Sequence, residues 1–251
     1  MMYNYRDVVS FTFYAVYQSG LGEQCTICIG FSEPSGKPVA GVVYRPIPQP
    51  NTWAIGAASE SFRESYLNVA PLGKVPLVNS RGLLTSNGGI SSFVQNLISN
   101  LHYERVPSGG AGNKMLMLLE GKGSCYIQDR GVSRWDTCGA QAVLEAYGGA
   151  LSKLSSFVST QQLHSYTYLK TNVNLDFVPG LSALTPHNAA QKELLQPGKK
   201  VLATSPELVQ PYSNLCGLLA LSPQLYQSKE DMENLTSAIS VTASAFPPSY
   251  D

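Results

Sequence analysis

Charged side chains are scarce in this chain. Asp, Glu, Lys and Arg make up 14% of the 251 residues, against roughly a quarter in an average domain. A surface so poor in charge is weakly solvated and leaves room for apolar partner surface. Neither sign dominates, with 17 basic and 17 acidic residues. No basic run or aromatic-basic alternation occurs, which argues against a nucleic-acid partner. No stretch reaches the roughly 18 apolar residues of a membrane helix. The longest candidate, Val8 to Tyr17, is broken by Ser10 and Thr12. Asp7 precedes it and no small-residue cleavage site follows, so it reads as a strand or an ill-defined N-terminal segment rather than a leader. The five cysteines are an odd number without a disulfide pattern, which points to a reducing, cytoplasmic setting. Cys25 and Cys28 form a lone C-x-x-C in a strand-like run, where residues three apart face opposite ways. They read as core cysteines rather than metal or redox ligands.

What is present reads as α/β. With 43% hydrophobic residues the chain has material for one large domain, or one and a half smaller ones. Gln24 to Phe31 is a strand by its β-branched content, Pro34 to Lys37 a turn, and Pro38 to Arg45 the returning strand. Trp53 to Gly56 and Glu60 to Tyr66 continue the pattern, so residues 1–77 read as antiparallel sheet. From Val78 to the end at 251, strands and helices alternate, the mark of a layered α/β unit. Leu83 to Ser86 is a strand. Ser91 to Leu101 carries Phe93, Val94, Leu97, Ile98 and Leu101 at helical spacing, with Ser91 or Ser92 as cap. A helix from about Gly112, a strand at Gly123 to Gln128 and a helix at Thr137 to Tyr147 follow, the last with Ala140, Val143, Leu144 and Tyr147 on its inner face. Residues 151–211 read as an insertion, with a short helix at Ala189 to Leu195. Leu215 to Leu221 is the final buried strand, Pro223 to Val241 a closing helix, and the tail from Thr242 frays.

The chemistry concentrates between Gly109 and Gly149. Gly109 and Gly110 permit positive φ and close backbone approach, and the helix that follows aims free N–H groups at whatever sits there. Lys114 adds a full positive charge. Together these make an anion site, with a plain strand-to-helix turn as the alternative. Asp136 caps the next helix in the bland reading. His164 and His187 stand in polar loops, far apart, and read as surface histidines.

The stretches GGAGNK, EGKGSCY, WDTCGAQAVLEAYGG and CTICIGFSEPSGKPVAGVVYRP resemble the inositol monophosphatase superfamily of lithium-sensitive, magnesium-dependent phosphomonoesterases. The resemblance implies a layered αβαβα sandwich of the inositol monophosphatase and fructose bisphosphatase type. It also implies Mg²⁺-assisted hydrolysis of a phosphate monoester, with water activated at a carboxylate-held metal cluster. On this resemblance Asp136 is a metal ligand, and Gly110, Ala111 and Lys114 hold the inositol or nucleotide part of the substrate. Thr85 matches a substrate-contacting position of the 3'(2'),5'-bisphosphate nucleotidase branch, whose accompanying histidine is replaced here by Gly88. The segment around Leu21 and Cys25, the long stretch after Gly149 and YSNLCGLLALS are more similar to the inositol polyphosphate 1-phosphatase branch. That branch is the closer expectation.

One family feature is missing from the 251 residues. The D-P-[IL]-D-x-T loop, which supplies most metal-binding carboxylates in the family, does not occur, nor does the glutamate-rich helix before it. Tyr3-Asn4-Tyr5 stands where the resemblance places the segment just after that loop, so the chain is expected to be the C-terminal part of a longer enzyme. Asp7, Glu23, Glu60, Glu104 and Glu120 do not recreate two carboxylates three residues apart followed by a hydroxyl. The expected result is a phosphorylated-ligand site with little or no activity by itself, and a sheet face left bare that favours self-association.

Overall fold

The computed structural model describes residues 8–11, 22–58, 63–67, 81–129, 132, 136–166, 168 and 216–250. Strands β1 (Val8–Phe11), β2 (Ile27–Ser32), β3 (Pro38–Arg45), β4 (Thr52–Ala58) and β5 (Arg63–Leu67) form an antiparallel sheet in chain order. Alternation along each strand divides its residues between two faces. Cys28, Val43 and Ala54 point to the buried face. The opposite face carries Ile55 and Tyr66, 44% and 60% exposed.

A mixed second sheet contains β6 (Gly82–Thr85), β7 (Glu104–Pro107), β8 (Cys125–Gln128), β9 (Ala150–Lys153) and β10 (Leu218–Leu221), in the order β7-β6-β8-β10-β9. β6 runs parallel to β7 and β8, whereas β10 is antiparallel to both its neighbours. The helices are α1 (Ser92–Leu101), α2 (Ala111–Leu119), α3 (Cys138–Ala146), α4 (Leu154–Thr160), α5 (Pro223–Gln227) and α6 (Lys229–Ala245).

Two cores follow from the alternation in the second sheet. Leu84, Tyr126, Leu218 and Ala220 face α2 and α3 and, beyond them, the first sheet. Leu83, Cys125, Ile127, Leu219 and Leu221 face the other way, onto α1, α4, α5 and α6. The described residues therefore stack as sheet, helices, sheet, helices, in keeping with the layered α/β sandwich. Because α2 and α3 are enclosed on both sides, eight of the nine residues of α3 are buried, rather than one stripe of it.

A row of glycines sets the distance between α3 and the first sheet. Gly30, Gly41 and Gly56 are register partners on three adjacent strands. A Cβ on Gly41 would lie 2.1 Å from the Gly139 carbonyl oxygen of α3, and one on Gly56 would lie 2.7 Å from Val143 Cα. The helix backbone thus rests directly on sheet backbone.

Several elements differ from the sequence reading. β7 (ERVP) has no apolar alternation because it is an exposed edge strand, and only its parallel pairing with β6 reveals it. β9 and α4 occupy the start of the segment expected to be an insertion, while 169–215, with the expected helix at 189–195, lie outside the described residues. The closing helix is two helices. Ser228 ends α5, and its hydroxyl caps α6 by accepting from Asp231 N. The chain from Thr242 does not fray, since α6 continues to Ala245 and Tyr250 packs on the second core. Asp136 is not the cap of α3 but the residue before it, with Thr137 at the cap position. No helix among the described residues is long and apolar enough to cross a membrane.

Candidate functional site

The three parallel strands end at the same edge of the second sheet, where open α/β sheets place their ligands. β6 ends at Thr85 and leads into the Ser86–Ser91 loop. β7 ends at Pro107 and leads through Ser108, Gly109 and Gly110 into α2. β8 ends at Gln128, upstream of Asp136 and α3. A cavity of about 260 Å³ opens among these ends. Gly110, Ala111, Lys114 and Asp136 all line it, as do Gln128, Ser86, Asn87 and, from the first sheet, Gln24, Thr26, Cys25 and Cys28. The structure thus brings four of the five residues singled out from the sequence to one cavity.

Gly110 holds φ at 71° at the position before α2, a conformation that glycine adopts without steric cost. The loop is braced from both sides. Gln24 Oε1 accepts from Gly109 N at 2.5 Å and from Asn87 Nδ2 at 2.9 Å, tying the α2 turn to the loop after β6. Asn113 Nδ2 donates to Ser108 Oγ at 2.8 Å and to the Gly109 carbonyl at 3.0 Å. Gln24 was not legible as a site residue, because it lies 85 positions from its partner.

Lys114 is 3% exposed. Its ammonium donates to the Ser108 carbonyl at 3.1 Å and sits 4.7 Å from the centre of the Tyr126 ring. Burial pulls its pKa down to about 8, while the nearby Asp136 carboxylate favours the charged form. Asp136 acts on two further neighbours. Burial pushes the Cys28 thiol up to about 11; a hydrogen bond to Thr26 lowers it and the Asp136 charge raises it. Burial, then Asp136, also holds the Tyr126 phenol well above its usual value. Cys28 is therefore an inert thiol in the cavity wall.

Thr85 is fully buried behind that wall. Its hydroxyl donates to the Ser86 carbonyl at 3.2 Å and accepts from Arg105 Nε at 3.0 Å. Arg105 Nη2 donates to the carbonyls of Ser86 at 3.0 Å and Gly88 at 2.6 Å. The sequence offered no sign of this arginine, which stands on the strand that it also failed to show.

Of the scattered acids, Glu120 closes α2 and pairs with Arg45 and with Lys122 Nζ at 2.9 Å. It lines a neighbouring cavity of about 550 Å³ together with Glu23. His164 Nδ1 is 2.5 Å from Ser156 Oγ, away from the site. Magnesium takes six oxygen ligands and is commonly held through one or two carboxylates, substrate phosphate and water. Asp136 is the carboxylate that the described residues give to the cavity, and they contain no cluster of three or more His, Cys, Asp or Glu side chains placed to hold a metal. They do not by themselves fit the metal cluster that the resemblance implied.

Residues 15–176 match the Inositol monophosphatase family. A 3'(2'),5'-bisphosphate nucleotidase 1 of Mus musculus is 31% identical over 151 residues, 55% of this chain and 46% of the relative. Its Homo sapiens counterpart is 28% identical over 179 residues, 64% of this chain and 55% of the relative. A Golgi-resident adenosine 3',5'-bisphosphate 3'-phosphatase of Rattus norvegicus is 30% identical over 138 residues, 51% of this chain and 35% of the relative. The chain spans about half the length of the curated relatives it matches. Among solved structures, an inositol monophosphatase from Anabaena (Nostoc) superposes with a TM-score of 0.53 at 18% identity, covering 97% of this chain and 73% of the other. SaIMPase-II with bound inositol monophosphate gives 0.53 at 15% identity, covering 94% and 70%. These two likenesses show the shared fold.

Proposed function

From the premise that the chain belongs to the inositol monophosphatase family, we propose that it carries the substrate-holding half of a phosphomonoesterase site. The cavity at the strand ends takes a phosphorylated small molecule. One observation carries this reading: a glycine turn, a buried lysine and the Asp of the W-D motif meet in one cavity, where Asp136 is the only carboxylate among the described residues. The turn at Gly110 and Ala111 offers backbone N–H groups to an anion or its hydroxyl-bearing scaffold, and Lys114 supplies charge in a setting with little water to screen it. Asp136 contributes one ligand to a magnesium cluster whose remaining carboxylates these residues lack. Magnesium, when held, would supply activation of water and stabilisation of the leaving oxygen.

For the organic part of the ligand, the bisphosphate nucleotides in the relatives' names are the favoured reading. The inositol polyphosphate 1-phosphatase branch, expected from the sequence, is the second candidate. Five free thiols suit a cytoplasmic setting. Self-association through the face carrying Ile55 and Tyr66 belongs to the same proposal, and a monodisperse monomer on sedimentation would remove it.

The test is calorimetric titration of the 251-residue chain with adenosine 3',5'-bisphosphate and with inositol 1,4-bisphosphate, without and with Mg²⁺. Binding of one of them without metal, lost in Lys114→Ala, is the expected outcome, together with negligible release of phosphate. Absence of binding overturns the ligand site, and Mg²⁺-dependent turnover by this chain alone overturns the half-site reading.

A further inference from the structure

Arg105 stands on the exposed edge strand β7, and its side chain crosses to the neighbouring parallel strand. Three of its five N–H bonds are committed: Nε to the Thr85 hydroxyl, and Nη2 to the carbonyls of Ser86 and Gly88. All three acceptors are neutral, and among the described residues no carboxylate pairs with it. The two N–H bonds of Nη1 make no hydrogen bond among the described residues. The guanidinium is therefore held in one orientation with its charge uncompensated and one edge free. Ser86, which it grips, is itself part of the cavity wall, and so is Asn87 next to it. Beyond them the rim is open, since a Cβ on Gly88 or Gly89 would meet nothing within 4 Å.

A fixed, unpaired guanidinium beside an anion-binding cavity has a plain chemical meaning. Arg matches phosphate oxygens geometrically, and one already locked by other bonds loses little side-chain freedom when it binds. We propose that Arg105 is the specificity-determining residue of this site, its free Nη1 edge binding a second phosphate on the ligand whose first phosphate-bearing end lies at Lys114. The site then prefers small molecules with two separated phosphates over those with one. This inference rests on the reading of the cavity as a phosphorylated-ligand site and adds what selects the ligand.

The experiment compares two matched sets on the full chain at low salt. Adenosine 3',5'-bisphosphate is set against adenosine 3'-phosphate and adenosine 5'-phosphate, and inositol 1,4-bisphosphate against inositol 1-phosphate. In the wild type the bisphosphate of at least one set binds about tenfold more tightly than its monophosphates. Arg105→Gln abolishes that advantage, bisphosphate affinity falling to the level of the monophosphates, and Arg105→Lys, which keeps the charge and loses the fork, restores part of it. A parallel fall in mono- and bisphosphate affinity would reduce Arg105 to a brace for the Thr85 loop and overturn the proposal, as would an undiminished bisphosphate preference. If the wild type binds none of the five ligands, the reading of the cavity itself fails; if it binds them without preference, only the role of Arg105 fails.

Discussion

The Thr137 hydroxyl does not cap the helix it begins; it donates instead to Tyr168 Oη, 3.0 Å away. The direction follows from the next bond, because the single Tyr168 proton goes to Gln141 Oε1 at 2.5 Å. Gln141 Nε2 in turn donates to Glu145 Oε1 at 2.7 Å and Ser165 Oγ at 2.8 Å. The chain of bonds starts one residue after Asp136 and joins α3 to Ser165 and Tyr168.

Replacing Tyr168 by Phe leaves the buried Gln141 carbonyl without its donor. A buried polar group stripped of its partner costs about 1–3 kcal/mol. Urea unfolding of Tyr168→Phe is expected to show a loss in that range, and unchanged stability would show that water or a neighbour replaces the phenol.

The glycine row predicts a sharp asymmetry between two Gly→Ala changes. At Gly41 the new methyl would sit 2.1 Å from a backbone oxygen of α3, so helix and sheet must separate. Overpacking of this kind costs about 1–3 kcal/mol or more. At Gly88 the methyl meets nothing, and the change should stay within about 0.5 kcal/mol. Equal melting temperatures for the two variants would contradict the close packing of α3.

Lys114 links stability to pH. Its pKa is about 8 in the folded protein against an ordinary value of 10.5, so between these values the unfolded chain binds more protons than the folded one. Unfolding free energy must then rise with pH across that window and stay flat below it. Measured relative to Lys114→Met, which cannot titrate, the difference should show this rise from pH 8 to 10. A flat difference would place the ammonium in contact with water.

Thiol labelling gives an independent view of the cavity. Cys25 is partly exposed and the other four cysteines are buried, with Cys28, Cys125 and Cys138 pushed up to about 11, 12 and 12 mainly by burial. One thiol should react readily in the native protein and five after unfolding. Because Cys25 lines the cavity, a bound phosphorylated ligand should slow its labelling. Protection of none, or fast reaction of several thiols, would argue against the cavity as drawn.

Much of the fold was present in local pattern. The hairpin of β2 and β3, the serine cap of α1 and the glycine turn before α2 depend on residue type and short spacing, which act within a few residues. Gly110, Ala111, Lys114 and Asp136 stand in short motifs, which made them candidates from the sequence. Tertiary structure decided the rest. Edge strand β7 has no signature of its own, and Tyr250 is buried by a core assembled from distant elements. Gln24, Arg105 and Tyr168 act on partners 17 to 85 residues away. Sequence determined which groups carry charge and which turn needs glycine. Only the packing of two sheets about α2 and α3 decided that Lys114 would be buried beside Asp136, because desolvation and long-range pairing are properties of the folded whole.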